Sequence, residues 1–332
     1  MKRANNLYAN IADMENLRLA YWKAQRGKAG KTEVKQFAAQ LNHNLQSIHH
    51  QLSLNTFDIG HYHYFTIYDP KERVICAASF PERVLHHAVM NICHPVFEQY
   101  QIYDSYATRP GKGQYAALDR ARQFNKNNTW FCKLDIKKYF DSIAHDILYQ
   151  KLTRKFKEPE LLNLFRTIIK SYQVTPHKGI PIGNLTSQYF ANHFLSMADH
   201  YIKEQLNAKY YVRYMDDMVI WHNEKEKLES ICEKFTRFIE KELHLHVKPP
   251  CMQPVSKGLP FLGYVLFRTK TRLNKTSKKR FQRKLRHYTH QLETNNWSQS
   301  EYANHVTPLI AFTQYAATKT MRNHIINREG IT

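Results

Sequence analysis

The sequence predicts an α+β fold in which an antiparallel sheet precedes a strongly basic helical region. Three observations carry this. The run YVRYMDDMVIW sets β-branched and aromatic residues on both sides of a tight polar point, the pattern of a hairpin with Asp216 and Asp217 at its tip. Upstream, FCKLDIKKYFDSI holds a second short strand, with Phe131, Cys132 and Leu134 ahead of Asp135. Beyond residue 267, Phe281, Leu285, Tyr288 and Leu292 recur at helical spacing among Lys and Arg.

The remaining elements follow in order. Residues 1–58 mix helix formers with Lys23, Arg26, Lys28, Lys31 and Lys35, and read as helices. A strand pair near 62–75 and a helix over about 81–100 come next. Helices are expected near 145–156 and 159–172. Thr186 or Ser187 offers an N-cap for a helix reaching about residue 205. Another helix, about 224–243, shows Leu228, Ile231, Phe235 and Ile239 on one face. No flexible linker, internal repeat or low-complexity tract divides the chain.

Composition limits the partners. A chain of 332 residues can bury a large core and form two or three subdomains. With 49 Lys and Arg against 28 Asp and Glu, the formal charge is +21, which calls for a polyanionic partner. No apolar run is long enough to span a membrane, and Met1-Lys2-Arg3 leads into no secretory core, so a cytoplasmic location is expected. Cys76, Cys93, Cys132, Cys232 and Cys251 lack metal-site spacing and read as reduced, buried thiols. The pairs His49-His50 and His86-His87 read as surface or nucleic-acid-facing.

Adjacent acids on an apolar hairpin are costly to hold together unless a cation neutralises them. Mg²⁺ suits the task, because it takes hard oxygen ligands and keeps positions open for phosphates. Taken alone, Asp135 reads equally as an ordinary acid at a strand end. Residues 268–290 carry ten Lys or Arg and no acid, so their helix has one packed face and one that repels itself unless a phosphate backbone covers it.

With these motifs in view, the chain resembles the reverse transcriptases. Tyr214-Met215-Asp216-Asp217 is similar to their catalytic box, and Leu134-Asp135 through Phe140 to their first metal-binding strand. In the family's order, YDPKERVI (68–75) resembles the fingers hairpin that holds the incoming triphosphate. SYATRPGKG (105–113) resembles the block that follows. GIPIGNLTSQYFANHFL (179–195) resembles the block at template and nucleotide, and Phe261-Leu262-Gly263-Tyr264 the primer grip. Most bacterial intron relatives have Gln-Gly and then Ser-Pro where this chain has Ile182-Gly183 and Ser187-Gln188. That departure resembles the reverse transcriptases of diversity-generating retroelements.

The resemblance implies a right-hand polymerase with fingers, an antiparallel palm sheet and a helical thumb. N-terminal helices and fingers would cover 1–130, the palm 131–267 with a fingers-contacting segment at about 173–190, and the basic thumb 268–332. It implies an RNA-directed DNA polymerase copying template RNA onto a cDNA or DNA primer with deoxynucleoside triphosphates and two Mg²⁺ ions. Asp135, Asp216 and Asp217, with the carbonyl of Ile136, would hold the metals. Lys71, Arg73, Arg109, Phe140, Ile182, Gly183 and Gln188 would meet the nucleotide, with Phe140 as the gate against a ribose 2′-hydroxyl. Ser187, Tyr214, Met215, Phe261, Leu262 and Gly263 would meet template or primer, and Lys278, Lys279, Arg283 and Lys284 the duplex backbone. Lys248 or His246 would protonate pyrophosphate. The narrower likeness implies errors concentrated at template adenines and a small basic helical accessory protein. A stand-alone antiphage or retron-like enzyme and a non-catalytic RNA-binding scaffold remain the alternatives.

Overall fold

In the computed structural model, which describes residues 3–68 and 72–328, four short helices come first. These are α1 (Tyr8–Ala12), α2 (Met14–Gln25), α3 (Thr32–Ala39) and α4 (Leu41–Ser53). Helix α2 starts at Asp13, whose carboxylate accepts the otherwise unpaired N–H groups of Glu15 and Asn16. Strands β1 (Tyr62–Ile67) and β2 (Arg73–Ala78) then form an antiparallel hairpin by themselves. Helices α5 (Phe80–Tyr100) and α6 (Gln114–Asn127) lead to β3 (Trp130–Leu134).

Four helices separate β3 from the next strand: α7 (Tyr139–Ser142), α8 (His145–Thr153), α9 (Pro159–Lys170) and α10 (Leu185–His200). The hairpin of β4 (Tyr210–Tyr214) and β5 (Asp217–His222) follows, then α11 (Lys225–Leu243) and β6 (Cys251–Pro254). A smaller sheet holds β7 (Leu259–Phe261), β8 (Tyr264–Leu266) and β9 (Thr271–Leu273). It spans position 267, where the sequence reading divides the chain. Helices α12 (Lys275–Glu293), α13 (Gln299–Gln314) and α14 (Lys319–Arg328) end the described chain. Ser298 and Glu301 cap α13 reciprocally, each side chain taking the other's backbone N–H.

The main sheet runs β4-β5-β3-β6, antiparallel throughout. Its residues divide by parity between two cores. Cys132, Leu134, Tyr211, Met218 and Ile220 join one with α5, α10 and α11, while Phe131, Val212, Val219 and Trp221 join a second with α6 and the small sheet. Layers on both faces explain why MVIW reads as a continuous apolar run rather than an alternating one.

Several local expectations are corrected. The helix expected to be capped by Thr186 or Ser187 begins at Leu185, and Asn184, at the N-cap position, turns its Oδ1 to the N–H of Ala78 in β2 instead. Its last turn, Tyr201–Gln205, widens into a π-helix. His86 is buried in α5 rather than on the surface, because α5 is packed on several sides. Cys251 is exposed, whereas the other four cysteines are buried thiols.

Candidate active site

Pairing in the sheet brings the three acids together. Leu134 pairs with Met218 in the last rung between β3 and β5, so Asp135 and Asp217 are the next residues beyond it. Tyr214 pairs with Asp217 across the hairpin, leaving Met215 and Asp216 as a two-residue turn. Met215 takes a left-handed φ of 55°, a strained conformation for such a side chain and one found where tertiary contacts enforce it.

Electrostatics at this corner are dominated by burial. It pushes the Asp216 carboxyl up to about 6, helped by the charges of Asp135 and Asp217 and opposed by its own backbone N–H and by Arg73. Asp217 is also raised by burial, against the pull of Lys133. Lys133 Nζ lies 2.8 Å from Asp217 Oδ1. That is ion-pair range, and the ammonium pulls the carboxyl down against its burial. Lys248 Nζ donates to Asp135 Oδ1 at 2.9 Å. Below it, an isolated bridge joins Ile136 to Val247, with Lys248 N–H on the carbonyl of Asp135 and Lys137 N–H on that of His246.

Among the described residues, no three His, Cys, Asp or Glu side chains are gathered to hold a metal ion. Two of the carboxylates are turned to lysines. The donor chemistry nonetheless fits a hard divalent cation: three carboxylates at one corner, two of them raised by burial and by the like charges beside them. A cation shared by all three requires Asp135 and Asp217 to turn from Lys248 and Lys133.

Other expected residues surround this corner. Arg73 opens β2 and is close enough to favour ionised Asp216. Lys71 lies outside the described residues. Ile182 accepts the Cys76 N–H through its carbonyl at 2.8 Å, which ties its segment to β2. Gly183 has φ 124°, and a Cβ there would stand 2.9 Å from Ile75 Cγ2 and 3.2 Å from the Cys76 carbonyl, so only glycine fits the crossing. Phe140 is half-buried at the start of α7, edge-on to Tyr139. Gln188 is half-buried and accepts from the Thr108 hydroxyl at 3.4 Å. Tyr214 and Met215 are half-buried at the hairpin.

Three expected residues have buried or locally bonded side chains. Ser187 is 1% exposed on the inner face of α10. Phe261 is likewise 1% exposed within the second core. Leu262 (φ 46°) and Gly263 (φ 90°) instead make the turn beside it, where Leu262 accepts from Gln114 and a Cβ on Gly263 would meet Ser277 and Phe312. Arg109 commits four of its five guanidinium N–H donors to Glu98 and to the carbonyls of Ile102 and Ser105, which turns the side chain toward its own loop. In α12, Lys278, Lys279 and Arg283 are exposed and Lys284 is half-buried.

The residue that the sequence reading missed is Arg213. Its side chain is fully buried and bonds both oxygens of Asp199, the Oδ1 of Asn192 and the carbonyl of Met215 at the strained turn. Asp199 also accepts the Tyr211 hydroxyl. The signal was legible: Tyr211 and Arg213 share one face of β4, so burying the first buries the second and demands an acid from the helix above.

The chain is similar in sequence to known proteins. Residues 68–266 match the family described as reverse transcriptase (RNA-dependent DNA polymerase). The "putative COX1/OXI3 intron 1 protein" of Saccharomyces cerevisiae is 22% identical, over 61% of this chain and 26% of its own length. An uncharacterised 91 kDa protein in the cob intron of Schizosaccharomyces pombe is 28% identical, over 44% of this chain and 17% of its own. The chain thus spans about a quarter or less of these relatives. Among solved structures, apo telomerase from Candida tropicalis, truncated from its C-terminal domain, has 12% identity and a TM-score of 0.49, covering 61% of this chain and 53% of that one.

Proposed function

The chain belongs to the reverse transcriptase family and has its right-hand polymerase fold, and on that premise we propose that it is an RNA-directed DNA polymerase with Asp135, Asp216 and Asp217 as its catalytic carboxylates. The observation that carries this reading is the convergence of these acids just past the Leu134–Met218 rung, Asp135 and Asp217 one residue beyond it and Asp216 in the adjoining turn, on strands buried from both sides. Fingers would occupy 1–130, palm 131–267 and thumb 268–332, with the template RNA and primer along the basic face of α12.

Bound at the three carboxylates and the Ile136 carbonyl, divalent cations, two Mg²⁺ by family analogy, supply charge neutralisation for an attacking 3′-hydroxyl and a departing pyrophosphate. The chain's own residues do the rest. Arg73 binds triphosphate oxygens from the start of β2, and by family likeness Lys71 joins it. Phe140 is the ring that by family likeness excludes a ribose 2′-hydroxyl. Gly183 lets the backbone pass close to the base pair, beside Ile182 and Gln188. Lys248, next to Asp135, is better placed than His246 to give up a proton to pyrophosphate.

The Ile182 and Gln188 positions support the narrower reading, a diversity-generating enzyme that errs at template adenines and works with a small basic helical accessory protein. An aliphatic Ile182 offers no amide to hold the nascent pair. Primer extension on an RNA template tests both levels. Extension requiring a divalent cation supports the polymerase, and no extension by the complete complex defeats it. Error rates measured opposite each template base test the subtype, and Ile182→Gln is expected to lower errors at adenine most. Equal errors at all four bases in the parent would leave a stand-alone or retron-like enzyme. Among the described residues, no helix is long and apolar enough to cross a membrane.

A further inference from the structure

Far along the sequence from the acidic corner, α2 and the turn after it present an unusual surface. Trp22 is 67% exposed and Leu19, one turn before it, 48%. Arg18 and Arg26 stand four residues either side of Trp22, so the ring has a cation one turn before and one turn after it. Between residues 14 and 35 there are six Lys or Arg, namely Arg18, Lys23, Arg26, Lys28, Lys31 and Lys35, against Glu15 and Glu33. Glu33 is already engaged by Arg83 of α5.

The cations crowd one another. Lys23 reaches across to α5, where its Nζ donates to Asn91 Oδ1 at 2.6 Å. Lys28 is held below the usual lysine range by burial and then by Arg83 and Lys31. His87, beneath them on α5, is pushed down to about 4 by burial and then by Lys23 and Lys28. A solvated charged face spreads its charges or interleaves acids. This one gathers like charges beside an exposed indole. A bare protein partner would favour the indole but not the crowding, and a duplex would favour the charges but has no free base to lay on the ring.

We infer that Trp22 and the cations around it form a second contact for single-stranded RNA, separate from the polymerase cleft, with a base stacked on the indole and phosphates on Arg18, Arg26, Lys28 and Lys31. Every base offers a π-face, so the site tolerates any sequence. It would hold a part of an RNA that is not being copied, leaving the cleft free for the template–primer. Nothing in the acidic corner is needed for it.

The test uses the full chain with its cleft filled by a chain-terminated template–primer, probed with 4-thiouridine-labelled single-stranded RNA. Crosslinking is expected on the peptide carrying Trp22. Trp22→Ala should weaken binding of this second RNA by about tenfold, whereas Trp22→Phe, which keeps a stacking face, retains most of it. Because the ring is largely exposed, neither change touches the core. Lys28→Gln with Lys31→Gln should lower the slope of log affinity against log salt by about 0.7 for each phosphate no longer neutralised. Extension of a short template–primer should be unchanged in all these variants, which separates failure here from failure of the polymerase reading. Parent-like binding by Trp22→Ala, or crosslinks confined to other helices, overturns the inference. Displacement of the RNA by polyglutamate as readily as by unlabelled RNA also overturns it and assigns the face to an acidic protein.

Discussion

Two hairpins meet at the acidic corner, and they could hardly be held more differently. The sequences are alike in kind, YHYFTI with RVICAA against YYVRY with DMVIWH. Yet β4 and β5 are buried along nearly their whole length, while in β1 and β2 only Cys76 and Ala78 are. The difference lies in their neighbours. Strand β5 has β3 on its other edge and a core on each face. The β1–β2 pair stands by itself, tied by the Cys76–Ile182 and Ala78–Asn184 bonds and by Tyr62 against Ser171, with Tyr64, Phe65 and Val74 in solvent. On the proposed mechanism this division is functional. Carboxylates that share a cation need fixed spacing, whereas an arm that meets each incoming nucleotide needs access.

The largest effect should come from the acidic tip. Asp216→Asn keeps the shape but removes a charge that a cation needs, so polymerisation is expected to fall by several orders of magnitude with RNA binding intact. Stability should move the other way. In the folded state Asp216 titrates near 6 against an ordinary 3.8, so the native form binds the extra proton and this group's contribution to stability declines as pH rises from about 4 to 6. Without metal, Asp216→Asn should therefore melt later at pH 7, by about 1–2 kcal/mol, and lose that part of the pH dependence. Near-normal extension by the variant, or an unaltered melting profile, would break the link between burial and function at this hairpin.

Next comes the support beneath the turn. Arg213→Met leaves Asp199 charged and unpaired in a fully buried site, a loss of about 3–5 kcal/mol. Pairing it with Asp199→Leu should restore much of the stability, because both charges are then gone. Activity should stay low in the double variant, since the Met215 carbonyl has lost its donor. Full recovery of kcat along with stability would mean that the ion pair serves packing alone.

How far the sequence could be read follows the same division. The hairpin at Asp216, the strand ending at Leu134 and helices α9 and α11 were legible, because local period and β-propensity agree with where the tertiary contacts put them. Sidedness was not. Phe131 and Cys132 are adjacent yet buried on opposite faces, which a strand pattern cannot tell from one-sided burial. The three-stranded sheet of β7 to β9 was invisible as strands of three residues each. The motif likeness named Ser187, Phe261 and Arg109, but could not say that the first two are buried and the third is bonded to Glu98.

A smaller effect is expected in the C-terminal helices, whose own core is slight: Phe281, Leu285, Val306 and Ile325. Changing Lys278, Lys279, Arg283 and Lys284 together to Gln should weaken template–primer binding alike for all sequences. The salt slope should fall by about 0.9 for each duplex phosphate that these side chains cease to neutralise. An unchanged slope would assign that face to solvent or to another partner, and would leave the grip on the duplex to the sheet and its turn at Leu262.

The exposed hairpin supplies the smallest and most discriminating test. Arg73 is exposed and opens β2, so Arg73→Ala leaves the core intact and should alter stability by less than about 0.5 kcal/mol. On the proposed role it removes one cation from the triphosphate, which should raise KM for deoxynucleotides by about tenfold, some 1.4 kcal/mol. The same guanidinium also lowers the Asp216 carboxyl. Without it, that pKa should climb further above 6, and the acid limb of the activity profile should move to higher pH. The pair of readouts separates two explanations. If KM rises while the pH profile stays put, Arg73 serves only the nucleotide. If the profile shifts and KM does not, the hairpin acts on the carboxylates, and the contrast between a fixed chemical hairpin and a free handling hairpin is wrong at the point where the two touch.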